Sequence, residues 1–118
     1  MFLKEAMKRK KKADSRMSQQ ALEKLVEEAT VDCYNESEQL TGLFTLIDDN
    51  LALPFETSIL GVAVKVIKVD IAQDDRIVAI CARGQERQAI PLLDLPLPSP
   101  RPPGAEWIEA YRHWARGQ

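Results

Sequence analysis

The sequence predicts a small α+β protein, in which short helices pack on a strongly curved, barrel-like antiparallel sheet of about three strands. Apolar residues recur at helical spacing as far as Pro54, and β-branched residues alternate with polar ones after Phe55. A proline-rich stretch at 96–104 then leads to a last amphipathic segment. A chain of 118 residues has room for one small domain and its tails.

Two helices are expected before Pro54. Ser18 is a suitable N-cap for the first helix, which carries an apolar stripe. The second helix begins near Asn35, because Asn35 followed by Glu38 fits a capping box. It ends before Pro54, since the residue before a proline avoids helical geometry. Its buried face is expected to contain Leu40, Leu43, Phe44, Ile47 and Leu51.

Three strands are expected after the second helix. The first covers 62–71, where inward valines alternate with outward lysines. The second and third cover 76–84 and 87–95, with a tight turn at Gly84 between them. Pro91 lies inside the third strand and makes it an edge strand or a bulged one. Short turns between the strands favour an antiparallel meander.

Charge divides the chain into three parts. There are six basic residues and one acidic residue in 1–13, seven basic and fifteen acidic in 14–98, and three basic and two acidic in 99–118. We expect a basic arm at 1–13, an acidic α+β domain at 14–98, and a proline-rich linker with a C-terminal helix at 99–118. An acidic domain attracts cations and repels nucleic acid, so nucleic acid is not an expected partner.

A cytoplasmic location is expected. The basic run KRKKK leads into polar residues, so it does not resemble a signal peptide, and no apolar run approaches the roughly 20 residues of a membrane span. The membrane is therefore not an expected partner. Cys33 and Cys81 lack metal-ligand spacing, and we expect two reduced thiols, with a disulfide as the alternative.

The sequence does not indicate an enzyme. Its one histidine, His113, lies in the last helix, and no motif brings a cysteine to it as a nucleophile. A phosphate-binding glycine loop and a dinucleotide fingerprint are both missing from the sequence. Zinc is disfavoured as well, because two distant cysteines and one histidine do not form a ligand cluster.

Acidic residues surround the second helix at both ends. A start group precedes or opens the helix: Asp32, Glu36 and Glu38. An exit group closes it: Asp48, Asp49 and Asn50. The start group is favoured by the positive end of the helix dipole, whereas acids at the exit are disfavoured by a few tenths to about 1 kcal/mol each. A cation, either a basic side chain or a metal ion, would remove that cost.

Oxygen donors of this kind suit a hard cation such as Ca²⁺, which takes six to eight of them. The exit group is not an EF-hand, because Ile59 stands at the twelfth position from Asp48, where that motif needs a glutamate. Glu56 follows the exit group and is a further candidate ligand. A second acidic group lies at a strand turn: Asp70, Asp74 and Asp75. The alternative for both groups is a solvated acidic face without metal.

The run VDCYNESEQLTGLFTLIDDNLALPFET (residues 31–57) combines Val-Asp-x-Tyr, acids with Glu-Gln, an acidic helix exit and Leu-x-x-Pro-Phe. The strand GVAVKV (61–66) and the stretch IPLLDL (90–95) follow. In this order they resemble the small calcium-binding proteins of the cyanobacterial CcbP type. The resemblance covers residues 30–98 and leaves the first and last helices outside, as additions to the family's core.

This resemblance implies a compact α+β fold that binds Ca²⁺ at an acidic surface, as a buffer or a sensor. The exit group is the expected main site, with Glu56 or the start group supplying further oxygens where the fold brings them near. The alternative is a protein-interaction module without metal. In that case the basic arm and an aromatic helix face would bind a protein partner or a second copy, through Trp107, Tyr111 and Trp114.

Overall fold

The computed structural model describes residues 17–117, so the expected basic arm at 1–13 lies outside the described residues. The fold belongs to the α+β class that the sequence predicts. In chain order its elements are α1 (Gln19–Ala29), α2 (Glu36–Asn50), β1 (Phe55–Ile59), β2 (Val62–Ile71), β3 (Ile77–Arg83), β4 (Glu86–Pro91), a 3₁₀ turn (Leu92–Asp94) and α3 (Ala105–Arg116).

The four strands form one antiparallel sheet in the order β1-β2-β3-β4. The expectation of about three strands in a barrel-like sheet was therefore wrong. The sequence pattern missed β1 because its buried middle residue is Thr57, so no apolar residue stands between Phe55 and Ile59. The sheet stays open with β1 and β4 as its edges, because the chain turns away at Pro91 into the 3₁₀ turn instead of pairing with β1.

A register shift in β2 explains the spacing of its valines. Pairing with β3 shifts between Val66 and Lys68, which marks a β-bulge or similar irregularity. Val66 and Val69 are both buried although they are three positions apart, which strict alternation would forbid. The irregularity places Val66 and Val69 on the same buried face, while Lys65 and Lys68 remain exposed as expected.

The helix starts lie where capping residues predict them. The Ala21 backbone N–H donates to Ser18 Oγ at 3.1 Å, so Ser18 is the N-cap of α1. At α2, the Glu38 backbone N–H donates to Asn35 Oδ1 at 2.8 Å. The Glu38 carboxylate accepts in return from the Tyr34 backbone N–H at 2.6 Å. This reciprocal pair satisfies two donors at the start of α2.

The last helix is part of the main hydrophobic core. The side chains of Trp107 and Tyr111 are only 6% and 2% exposed, and they pack in the same cluster as the buried residues of α2 and the sheet. Tyr111 Oη accepts from the Ile77 backbone N–H at 3.3 Å, at the start of β3. Trp114 Nε1 donates to Gln39 Oε1 of α2 at 2.9 Å. The C-terminal helix therefore docks on its own chain.

Arg112 holds α3 against the 3₁₀ turn. Its guanidinium, in a side chain only 14% exposed, donates to the carbonyl oxygens of Leu92 and Leu95. Burial lowers the pKa of Arg112, and nearby Glu109 opposes that shift. Glu109 also forms a 2.8 Å ion pair with Arg101 of the proline-rich linker. Charge-assisted bonds therefore connect the linker, α3 and the 3₁₀ turn.

None of the helices within residues 17–117 is both long and apolar enough to cross a membrane.

Gly42 allows α1 and α2 to approach closely, because a Cβ at this position would stand 2.2 Å from the Ala29 carbonyl oxygen. Alanine normally stabilises a helix interior by about 1 kcal/mol relative to glycine. Here we expect Gly42→Ala to destabilise the protein by about 1–3 kcal/mol instead, because the backbone of α1 must move. Urea unfolding measures the change. Gly117→Ala, where the nearest atom is 3.6 Å away, is the control and should shift stability by less than about 0.5 kcal/mol.

Both cysteines are free thiols, and they differ in accessibility. Cys33 is partly exposed, whereas Cys81 is buried in β3 and burial raises the pKa of its thiol. Because the thiolate is the reactive form, we expect a thiol reagent at pH 8 to modify Cys33 first and Cys81 only on unfolding. Peptide mass mapping with time measures both rates. Equal modification rates of Cys33 and Cys81 in the native protein would contradict the burial of Cys81. As the control, both thiols should react once guanidinium has unfolded the protein.

Candidate metal centre

The exit group forms the last three residues of α2, and all three are exposed: Asp48, Asp49 and Asn50. The last turn of α2 contains no basic residue. Within residues 17–117 neither aspartate has an ion-pair partner within 4.0 Å. Two carboxylates thus lie at the negative end of the helix dipole without a described basic side chain to compensate them.

Hydrogen bonds at this helix end leave oxygen atoms for another partner. Asn50 Nδ2 donates to the Leu46 carbonyl at 2.8 Å, so its amide nitrogen is bound to the helix itself. The Ala52 backbone N–H would bond to the Asp48 carbonyl if the helix continued. It donates instead to the Pro103 carbonyl at 2.8 Å. The Asp48 carbonyl, one of the last carbonyls of the helix, therefore does not accept a bond from Ala52.

The linker before α3 passes directly over the exit of α2. Gly104, the N-cap of α3, is buried and has a φ of 90°. A Cβ on Gly104 would lie 2.2 Å from the Asn50 carbonyl oxygen and 2.6 Å from Leu51 Cα. Only glycine fits both this φ and this contact. We call the contact of Pro103 and Gly104 with residues 50–52 the crossing.

The start group lies at the opposite end of α2. The helix has 15 residues, so at 1.5 Å per residue its ends are roughly 20 Å apart. Glu38 accepts the Tyr34 backbone N–H and so caps the helix. Asp32 has a positive φ of 62° in the turn between α1 and α2, and Glu36 lies in the first turn. The structure therefore does not bring the start group to the exit group.

Two of the other acidic candidates bond to groups of the chain itself, and Glu56 lies opposite a lysine. Glu56 in β1 is paired in register with Lys65 of β2, where opposite charges attract across the strands. Asp74 forms a 2.7 Å ion pair with Arg76. Asp70 Oδ1 accepts the backbone N–H of the next residue at 2.8 Å. The acids of this strand turn thus contribute to the turn's own structure.

Oxygen donors at the exit group fit a hard cation better than a transition metal. Within residues 17–117, no three His, Cys, Asp or Glu side chains come together in a geometry that could hold a metal ion. The exit group offers two carboxylates, one amide oxygen and helix-end carbonyls. Ca²⁺ accepts such mixed oxygen ligands at flexible geometry and completes its shell with water. Zinc would need thiolate or imidazole ligands, which this end of α2 lacks.

The aromatic candidates for partner binding do not form a free face. Trp107 and Tyr111 lie in the core, and Trp114 is half-buried and bonded to Gln39. Tyr111 and Trp114 also stack on each other, with ring centroids 6.2 Å apart. Their apolar surface is used to attach α3 to the rest of the chain.

A protein-family model of the CcbP type, described as calcium binding, matches residues 23–115. The chain belongs to the CcbP calcium-binding family. The match includes most of α1 and nearly all of α3. The expectation that the family's core covers only 30–98 was therefore too narrow, because the first and last helices are part of the family fold rather than additions to it.

The crystal structure of Anabaena CcbP has the same fold. The two structures superpose with a TM-score of 0.63 at 21% sequence identity, over 86% of this chain and 94% of that chain. No curated protein matches the chain. Family membership assigns Ca²⁺ as the bound ion and calcium binding as the general function. It also suggests a role other than catalysis.

The sequence prediction missed the crossing, which involves Ala52, Pro103 and Gly104. A glycine after two prolines and before a helix is a sequence signal for a turn with positive φ. That signal does not tell which surface the turn will contact. The contact with α2 follows from the docking of α3, which brings together residues about fifty positions apart.

Removing charge at the exit of α2 should stabilise the metal-free protein. We expect Asp48→Asn and Asp49→Asn each to raise the free energy of unfolding by a few tenths to about 1 kcal/mol in EDTA, because repulsion with the helix end is relieved. Urea unfolding at low salt measures the change. Glu36→Gln makes the same charge change at the positive end and should lower stability. A loss of stability in all three variants would contradict the electrostatic account of the exit group.

Proposed function

We propose that the chain binds Ca²⁺ at the exit of α2, with Asp48, Asp49 and Asn50 as the main side-chain ligands. The observation that carries the proposal is the pair of exposed carboxylates at the negative end of the helix, with no basic residue in its last turn. Each carboxylate interacts unfavourably with the negative helix end, and a divalent cation relieves that cost. Its binding energy then adds to the stability of the fold.

The start group has a separate role in this proposal. Because roughly 20 Å separates the two ends of α2, one ion cannot contact both groups. Asp32, Glu36 and Glu38 instead interact with the positive end of the helix, where negative charge is favoured. Glu56 is the remaining candidate ligand, and its alignment with Lys65 competes with an ion for its carboxylate.

The proposed site is open, and water supplies most of its remaining ligands. Affinity for Ca²⁺ rises with the number of charged ligands and with the rigidity of the site. Two carboxylates on a helix end therefore favour a dissociation constant of roughly 10⁻⁵–10⁻³ M. Such a site suits a calcium buffer or sensor with fast exchange, and Mg²⁺ should bind more weakly because it demands stricter octahedral geometry.

Calorimetric titration of the native chain with Ca²⁺ should give a binding heat, and millimolar Ca²⁺ should raise the melting temperature. The double variant Asp48→Asn/Asp49→Asn should lose at least about tenfold in affinity, since both charged ligands are removed. The matched double variant Asp32→Asn/Glu36→Gln removes the same charge at the start of α2. It should bind Ca²⁺ within about twofold of the native chain, because surface charges this far apart are largely screened.

Two outcomes would overturn the proposal in different ways. If Asp32→Asn/Glu36→Gln loses Ca²⁺ affinity and Asp48→Asn/Asp49→Asn keeps it, the ion binds at the start of α2. If the native chain gives neither heat nor thermal stabilisation at millimolar Ca²⁺, the chain does not bind the ion under these conditions. A Mg²⁺ titration of the native chain reports selectivity in the same experiment.

A further inference from the structure

We propose that Pro103 and Gly104 are positioning residues of the ion site, and that Ca²⁺ binding is thereby linked to the docking of α3. This inference rests on the proposed function, because it assumes that the ion binds at the exit of α2. Neither residue supplies a side-chain ligand. Both act through the backbone of residues 48–52.

The first observation is the competition for the Ala52 backbone N–H. In the docked structure this donor bonds to the Pro103 carbonyl at 2.8 Å. If the linker left, the same donor would be in sequence position to bond to the Asp48 carbonyl and extend α2. That carbonyl would then no longer be offered to an ion. Docking therefore keeps the Ala52 N–H from bonding to the Asp48 carbonyl.

The second observation is steric. Gly104 packs its backbone on the Asn50 carbonyl and Leu51 Cα so closely that a Cβ would overlap both. Leu51, which follows the exit group, is buried and has an extended ψ of 125°. The crossing thus fixes the direction in which the chain leaves α2, and with it the orientation of the last carbonyls.

The third observation connects the crossing to α3. Gly104 is the N-cap of α3, and its carbonyl accepts from the Trp107 backbone N–H at 3.1 Å. Trp107 and Ile108, in the first turns of α3, lie in the core. The crossing therefore cannot move unless the first turn of α3 also moves.

Linkage follows from these contacts. If the docked form binds Ca²⁺ more tightly than the undocked form, Ca²⁺ must favour docking by the same factor. Ca²⁺ bound at the exit of α2 would then stabilise the docked position of α3. Trp107 and Trp114, the two tryptophans of the chain, both lie in α3 and provide an intrinsic fluorescence probe of its docking.

Gly104→Ala tests the positioning role. The variant forces the crossing to shift, and we expect its Ca²⁺ affinity in calorimetry to fall at least about tenfold. Gly61→Ala is the matched control, because Gly61 also has a positive φ of 78° but has no atom within 4 Å of the added Cβ. It should bind Ca²⁺ within about twofold of the native chain. Native affinity in Gly104→Ala, or an equal loss in both variants, would overturn the inference.

Hydrogen exchange of the native chain gives a second test that does not depend on the folding of a variant. If Ca²⁺ binds only the form in which α3 is docked, a Ca²⁺ concentration 100 times the dissociation constant should slow exchange of the Ala52 and α3 amides by up to about 100-fold. Slowing of the α3 amides that exceeds the slowing of the sheet amides supports linkage, because binding anywhere on the folded chain slows all globally exchanging amides by the same factor. Equal slowing of α3 and the sheet would overturn it. Unchanged α3 exchange while calorimetry shows binding would overturn it. Absence of binding heat in the native chain is a failure of the proposed function itself.

Discussion

The fold depends on the burial of the apolar face of α3. This helix contributes Trp107, Ile108 and Tyr111 to a core that α1, α2 and the sheet complete. Fully burying side chains of this size contributes about 1.5–3 kcal/mol each, and small α+β domains have little other apolar surface to use. Polar contacts then fix the position of α3, since Tyr111 accepts from the first residue of β3 and Trp114 donates to α2. Without α3, the buried residues of α1, α2 and the sheet would lose this cover.

Docking of α3 also determines the environment of the acidic helix exit. The linker must reach the start of α3, and on its way it crosses residues 50–52 at a distance that only glycine allows. This contact uses the Ala52 N–H and leaves Asp48 and Asp49 exposed at the negative end of α2. An ion site placed here is thus attached to the core through backbone contacts rather than through a loop of its own. That arrangement differs from an EF-hand, where a single continuous loop supplies the ligands.

Local signals predicted the helices well. Ser18 and Asn35 cap their helices through short-range hydrogen bonds that sequence spacing alone specifies. The strand count failed at β1, whose identity comes from pairing with β2 and not from its own five residues. The sequence also resembled a calcium-binding family, and the family match confirms that resemblance. The acids that the sequence identified at an unfavourable helix end stay a prediction for the ion site. The sequence did not identify Gly104 as a neighbour of Asn50, because that contact depends on how α3 docks.

The location of the ion is the central claim, and an amide-resolved NMR titration of the native chain with Ca²⁺ tests it most directly. The account predicts that the largest chemical-shift changes fall on residues 48–52 and on Gly104, with smaller changes along α3. Amides near Asp32 and Glu36 should move little, because roughly 20 Å separates them from the exit of α2. Changes concentrated at the start of α2, with residues 48–52 unaffected at saturating Ca²⁺, would contradict the account.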